Sequence, residues 1–213
     1  MTLLSRRKGS SVSDFRAYWS GCHAQLALCM DGITSYTQNR VDKCLWQLSN
    51  DAGQFDIDGV VELCFENAEV MGIAQRSRVG SEYLPDDELN FLHGWTLCVV
   101  THEDEPTQHH GVKVVIAAAI ASGVSRDDFR NGLIEANASQ EIPATISFNW
   151  TENSAKRERL WAEPVVPDAL VALWFESNAR AQDAFRRDAE FARQLSQLSR
   201  RAGAYLIDVH VVK

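Results

Sequence analysis

Apolar and polar residues follow two different periods along this chain, and each period predicts one kind of element. In residues 58–65 successive side chains belong alternately to the two faces of an extended segment, which predicts a strand. In residues 15–30 apolar side chains recur every three or four positions, which predicts a helix. Ser13 precedes an acidic first turn and is the predicted N-cap, and Gly32 follows the helix as expected of a C-cap.

The same two periods divide the rest of the chain into strands and helices. Further strands are predicted over residues 33–41, 95–100, 112–121, 144–150, 169–175 and 204–212, and a short apolar segment begins at Leu3. Further helices are predicted over residues 67–78, from residue 85, from Ser125, and over residues 178–202. Residues 42–56 predict a loop, and residues 101–111 predict a polar linker. The order β-α-β-β-α-β therefore occurs twice, which is the ferredoxin-like pattern.

A repeat in the residues themselves accompanies the repeated order. Residues 14–16 (DFR) recur at 128–130, and residues 58–67 (DGVVELCFEN) match 168–177 (DALVALWFES) at five of ten positions. Each predicted four-stranded sheet has helices on one face and an apolar face left to cover. We therefore expect an α+β protein of two fused ferredoxin-like halves, residues 1–103 and 112–213, whose sheets pack against each other as an intramolecular dimer.

Charge and composition exclude several classes of protein. The formal net charge of −8 disfavours contact with nucleic acid, so no nucleic-acid partner is expected. No window approaches the roughly 18 consecutive apolar residues of a membrane span, so no membrane partner is expected. The five cysteines contain no CxxC pair, and the first residues have the wrong order of charge for a signal peptide. These observations predict a cytoplasmic protein.

Motifs for cofactors and metals are missing from the sequence. It contains no GxGxxG, phosphate-binding loop, GxSxG or HExxH pattern. His102, His109 and His110 lie in the predicted linker without the spacing of metal ligands. We therefore expect no cofactor and no metal.

His23 is the first candidate for chemistry, because it lies on the apolar face of the first predicted helix. A histidine in such a place is either a core residue bonded to backbone or a partly desolvated general acid or base. Tyr18 and Tyr36 either polarise a carbonyl with their hydroxyls or serve as wall residues. Spacing alone leaves both alternatives open.

Two segments around His23 resemble the signature of the EthD family. They are residues 15–19 (FRAYW) and 22–26 (CHAQL), and the similarity extends through residues 36–39 and 58–63 to residues 87–92. The resemblance implies the dimeric α+β barrel fold and His23 as the acid/base residue. Relatives by fold include cofactor-free isomerases, cyclases, dehydratases and monooxygenases that act on lactones, polyketides and aromatic compounds.

The second half departs from this signature. Asn137 stands eight residues after Phe129, where His23 follows Phe15, and an amide cannot exchange protons near neutral pH. Gly132 and Leu133 replace the Tyr-Trp pair of the first half. One site per chain is expected.

The remaining candidates would bind substrate. Trp19 and Phe91 would form an apolar wall, and Asn39 would bond either a ligand or a neighbouring strand. Glu62 would orient His23 or be a solvated or salt-bridged residue, and His93 would supply a second imidazole or lie on the surface.

We therefore predict a cofactor-independent lyase or isomerase acting on a small aromatic, polyketide-like or lactone molecule. A binding protein for a small hydrophobic ligand and a cofactor-free monooxygenase are the alternatives. A homodimer of the fused chain is also left open.

Overall fold

A computed structural model of the chain describes residues 1–48, 53–103 and 111–213. The strands are β1 (Thr2–Arg6), β2 (Ile33–Gln47), β3 (Gly59–Phe65), β4 (Leu92–Glu103), β5 (Val112–Ile120), β6 (Thr145–Lys156), β7 (Ala169–Phe175) and β8 (Ser199–Val211). The helices are α1 (Val12–Tyr18), α2 (Ala24–Ala27), α3 (Ala68–Arg76), α4 (Leu84–Glu88), α5 (Arg126–Ala138), α6 (Asn178–Ala184) and α7 (Glu190–Leu198). Two π-helical turns, Trp19–His23 and Val79–Tyr83, join α1 to α2 and precede α4.

The eight strands form one closed antiparallel barrel in the order β1-β3-β2-β8-β5-β7-β6-β4. The first four strands have the order β4-β1-β3-β2, and the last four have the equivalent order β8-β5-β7-β6. Pairing of β2 with β8 and of β4 with β6 joins the two groups and closes the barrel. The predicted α+β class is confirmed.

The core lies in layers inside and outside the barrel. A cluster that draws on strands of both groups, including Leu3, Val60, Val115 and Ile207, fills the interior. Outside, α1–α4 pack on the first four strands and α5–α7 pack on the last four. No helix within the described ranges is both long and apolar enough to cross a membrane.

Four strands are longer than the sequence pattern predicts, and β6 (Thr145–Lys156) and β8 (Ser199–Val211) are two of them. Strand β2 continues to Gln47, through part of the predicted loop, because its outer residues pair with β8. Strand β4 continues to Glu103, into the predicted linker, because it pairs with β6. Both extensions lie at the joints between the two strand groups, where pairing overrides a polar local sequence. Residues 104–110 of the predicted linker lie outside the described residues.

Three helix predictions are also corrected. Ser11, not Ser13, caps α1, and its side chain accepts from the backbone N–H of Asp14. The helix predicted over residues 15–30 is interrupted by the π-helical turn. The helix predicted over residues 178–202 divides into α6 and α7, and its last residues begin β8, where Ser199 and Arg201 pair with β5.

Candidate active site

The backbone around His23 departs from a regular α-helix. Gly21 has φ −95° and ψ −107°, outside the helical region, within the π-helical turn that ends at His23. Such turns change the direction of the side chains that follow and occur often at functional sites. The His23 side chain is buried, and its ring centroid lies 4.8 Å from that of Phe91. His23 is thus held against an aromatic surface.

A chain of hydrogen bonds fixes the orientation of this imidazole. Nδ1 of His23 lies 2.8 Å from Oδ2 of Asp87, on α4. The other oxygen, Oδ1, accepts a bond of 2.7 Å from the Tyr18 hydroxyl. Asn90 in turn donates to that hydroxyl at 3.0 Å. Both oxygens of Asp87 are therefore engaged.

The electrostatics of Asp87 determine which nitrogen of His23 carries the proton. Burial would raise the pKa of Asp87, but the bonds from His23 and Tyr18 outweigh burial and leave its pKa below the ordinary value. An ionised carboxylate accepts, so Nδ1 of a neutral His23 donates to it. Nε2 has no hydrogen-bond partner among the described residues, and His23 lines a cavity. This tautomer presents the basic lone pair of Nε2.

The cavity has a volume of about 480 Å³ and is lined by strands and helices of the first strand group together with residues 155–157. Its apolar walls come from helices and strands alike and include Ala27, Met30, Leu63, Met71, Leu84 and Leu97. Its polar side chains include His23, Tyr36, Glu62, Glu88, His102 and Arg157. An apolar volume with a few polar groups is typical of a site for a small organic molecule.

Tyr36 places a phenol on the cavity wall. Its hydroxyl accepts 3.1 Å bonds from the Trp19 indole and from the Gln38 side-chain amide. Burial raises the pKa of Tyr36 above its ordinary value, so the hydroxyl keeps its proton. That proton has no acceptor within the described part of the chain, and Tyr36 can donate it to a ligand.

The structure brings three of the eight predicted site residues to the cavity, namely His23, Tyr36 and Glu62. Of the alternatives for Glu62 the salt-bridged one is found, and the carboxylate partner of His23 is Asp87. Glu62 instead accepts a 2.7 Å bond from Lys113 of β5.

The other five predicted residues do not line the cavity. The Tyr18 hydroxyl bonds Asp87, and the Phe91 ring packs against His23. The ring centroids of Tyr18 and Phe91 lie 5.1 Å apart in a stacked arrangement. Trp19 is fully buried and donates to Tyr36. Asn39 donates to the Val60 carbonyl at 3.1 Å, the neighbouring-strand alternative. His93 stacks on Trp161, with ring centroids 5.8 Å apart.

Sequence reasoning missed three charged residues of this site: Asp87, Glu88 and Arg157. Asp87 lies 64 residues from His23, so no local period connects them. The neighbouring acidic positions 86–88 in a helix were the available signal. Arg157 reaches the cavity from the second strand group, and local sequence offers no signal for this contact.

The equivalent position in the second strand group carries no such arrangement. Asn137 bonds the backbone of Ala144 through both its oxygen and its nitrogen. It therefore holds a turn in place. Among the described residues, no group of three His, Cys, Asp or Glu side chains could hold a metal ion.

Comparison with known proteins found one matching family profile and several similar folds. The sequence profile of the EthD domain matches residues 7–94, which include His23, Tyr36 and Asp87. Residues 7–94 of this chain are therefore similar to the EthD domain. No curated protein matches the chain in sequence.

Solved structures resemble the chain over its whole length. An anthrone oxidase-like protein has a TM-score of 0.61 at 8% identity, covering 99% of this chain and 91% of that chain. A candidate monooxygenase from Lactobacillus acidophilus NCFM has a TM-score of 0.51 at 7% identity, covering 99% and 92%. A candidate chlorite dismutase has a TM-score of 0.50 at 10% identity, covering 97% and 93%. At these identities the likeness concerns the fold, which therefore extends beyond the EthD domain to the second strand group.

Proposed function

We propose that this protein is a cofactor-independent lyase or isomerase that moves a proton on a small, largely apolar molecule. The observation that carries the proposal is the 2.8 Å contact between His23 and Asp87 at the wall of an apolar cavity. Asp87 holds the imidazole in one tautomer, and Nε2 is the base. A lyase then returns the proton to a leaving hydroxyl, whereas an isomerase returns it to another carbon.

The Tyr36 hydroxyl completes this chemistry. Removing a proton beside a carbonyl places negative charge on the carbonyl oxygen, and a donor aimed at that oxygen stabilises the transition state. Tyr36 lines the same cavity as His23 and is fixed by two accepted bonds. Tyr18 acts through Asp87 and is a positioning residue.

The proposal is tested by following exchange of hydrogen for deuterium, because proton abstraction can be detected before the full reaction is known. Small aromatic ketones, polyketide-like compounds and lactones are incubated with the protein in D₂O, and NMR follows their acidic C–H groups. We expect catalysed exchange for at least one class. His23→Gln should slow that exchange about 100-fold or more.

A matched variant separates chemistry from folding. His210→Gln changes an imidazole on β8 that does not line the cavity, and it should leave exchange unchanged. A loss of several degrees in the melting temperature of His23→Gln with unaltered exchange would show that His23 is a core residue. Exchange accompanied by uptake of dioxygen would assign a cofactor-free monooxygenase. Ligand binding without exchange would assign a binding protein for a small hydrophobic or aromatic ligand.

We also propose that the chain is a duplication of one ferredoxin-like unit, residues 1–103 and 112–213, in which only the first unit keeps a site. Corresponding contacts support this origin. The Asn39 amide donates to the Val60 carbonyl, and the Asn149 amide donates to the Leu170 carbonyl, each partner 110 positions later. The two strand groups also have equivalent strand orders.

A further inference from the structure

Arg157 enters the cavity beside His23 although it belongs to the second strand group. It directly follows β6, which pairs with β4 across the joint between the groups. Its guanidinium lies over the Trp95 ring, 4.5 Å from the ring centroid. Nε donates to Oε2 of Glu88 at 2.7 Å, and Nη2 donates to Oε1 at 3.1 Å. A two-pronged ion pair and an aromatic ring therefore hold this side chain in one position.

Stability does not account for this pair. The Glu88 side chain is only 4% exposed, and burial raises its pKa even though Arg157 opposes the rise. Removing two charges from water costs about as much as their attraction returns, and apolar residues of similar volume often serve equally well. A charged pair on the wall of a largely apolar cavity therefore calls for a role in recognising a ligand.

The guanidinium of Arg157 has N–H groups that Glu88 does not use. It carries five N–H groups, and Glu88 uses one on Nε and one on Nη2. Nη1 lies 3.5 Å from the Gly80 carbonyl oxygen, which is longer than the usual hydrogen bond of about 2.7–3.2 Å. Because Arg157 lines the cavity, N–H groups remain for an oxygen of a bound molecule.

The charges around Arg157 determine whether a neutral or an anionic oxygen of a ligand is favoured. Glu88 already neutralises the guanidinium, so the remaining N–H groups act as donors and not as an unbalanced cation. Lys156 and Glu62 also line the cavity, so its charged lining carries no net charge, and Asp87 adds a carboxylate bonded to His23. A ligand carboxylate would meet these acidic groups, whereas a neutral carbonyl accepts the same hydrogen bonds without that repulsion.

We propose that Arg157 binds the carbonyl oxygen of the substrate, which is therefore an aromatic or conjugated ring compound with a neutral ketone, aldehyde or lactone carbonyl. Glu88 and Trp95 are positioning residues for Arg157. The site is thus composed of residues from both strand groups. This inference uses the cavity of the proposed function, but its test measures binding and needs no turnover.

Three compounds of similar size test the inference by isothermal titration calorimetry of the intact protein. They are 2-acetylnaphthalene with a neutral carbonyl, 2-ethylnaphthalene without an acceptor, and 2-naphthoate with a carboxylate. We expect 2-acetylnaphthalene to bind about tenfold more tightly than either of the others, since a hydrogen bond from a charged donor is among the stronger ones.

The decisive variant is Arg157→Met combined with Glu88→Gln, which removes both charges and leaves neither one unpaired. It should lose most of the preference for 2-acetylnaphthalene over 2-ethylnaphthalene, and the bond from Tyr36 accounts for the remainder. The matched control is Arg159→Met, because Arg159 is an exposed arginine paired with Asp86, away from the cavity. This control should keep the preference of the wild-type protein. Circular dichroism of each variant verifies that it is folded.

Three results would overturn the inference. A carbonyl preference that persists undiminished in the double variant would assign the oxygen to Tyr36 alone. Tighter binding of 2-naphthoate than of 2-acetylnaphthalene would show that the site selects an anion. Failure of all three compounds to bind the wild-type protein would remove the cavity as a site for ring compounds, and with it the proposed function. Binding as expected without deuterium exchange would keep the role of Arg157 and contradict only the proposed catalysis.

Discussion

Asp87 determines what His23 can do, since it receives one bond from the imidazole and another from Tyr18. These bonds stabilise the ionised carboxylate and hold the pKa of Asp87 below the ordinary 3.8. The pair is therefore a local source of stability that depends on pH, and the direction of that dependence follows from the direction of the shift.

The first prediction concerns the stability of Asp87→Asn at different pH values. A depressed pKa in the folded state gives stabilisation that is complete above the ordinary value and is lost as the pH falls through the folded-state pKa. At neutral pH we expect the variant to unfold more easily by about 1–3 kcal/mol, the worth of a charge-assisted hydrogen bond. Urea unfolding of both proteins from pH 7 down to pH 2.5 should show this difference shrinking below pH 4.

Asp86→Asn is the control for this measurement. Asp86 is exposed and pairs with Arg159, and exposed ion pairs contribute only about 0–1 kcal/mol. A difference between the wild-type protein and Asp87→Asn that stays constant across the acid range would show that the carboxylate charge is not what Asp87 contributes.

The elements that carry His23 and the strand beneath it meet in an unusually close contact. A Cβ atom at Gly59 of β3 would lie 2.5 Å from the ring of Trp19, which is fully buried. At the corresponding positions of the second strand group stand Ala169 and Leu133, in the same core cluster. The first strand group therefore combines the smaller strand residue with the larger helix residue.

The second prediction is a coupling between these two positions. Gly59→Ala alone should lower the free energy of unfolding by about 1–3 kcal/mol, because the extra carbon overpacks the contact. Combining it with Trp19→Leu should cost clearly less than the sum of the two single changes, because the smaller side chain makes room for the methyl group. Denaturant unfolding of the four proteins in this cycle gives the coupling energy, and additive effects would contradict the contact.

Much of the element order follows from local sequence, and the long-range contacts do not. Alternation in residues 58–65 predicts β3 correctly, and the serine-acid pattern at Ser125 predicts the start of α5, where a capping box forms. The extension of β2 to Gln47 depends on β8, more than 150 residues later, so its own polar sequence conceals it.

The same limit applies to the site. His23 follows from its place on an apolar face and from the EthD signature. Its partner Asp87 is brought to it by α4, and Arg157 arrives only when β6 pairs with β4. Local periods report which side of an element a residue occupies, and they carry no information about which distant element will meet it.

At the scale of the whole molecule, closure of the barrel makes the two strand groups depend on each other. Their sheets share the β2–β8 and β4–β6 ladders, and the interior cluster draws on strands from both groups. Separating them would expose four strand edges and an apolar face, and both changes are unfavourable in water. The covalent connection between Glu103 and Gly111 should therefore not be needed once the barrel has formed.

The third prediction is that the folded protein stays whole after the chain is cut at this connection. A specific protease site is inserted between Glu103 and Gly111, the folded protein is cleaved, and its size is measured by size-exclusion chromatography with light scattering. We expect one species of the original mass, which separates into two fragments only in denaturant. The uncut protein with the same insertion is the control, since any change in mass must come from cleavage. Two separate, soluble fragments in native buffer would mean that the ladders and the shared interior do not hold the groups together, and Arg157 could then not complete the cavity of its neighbour.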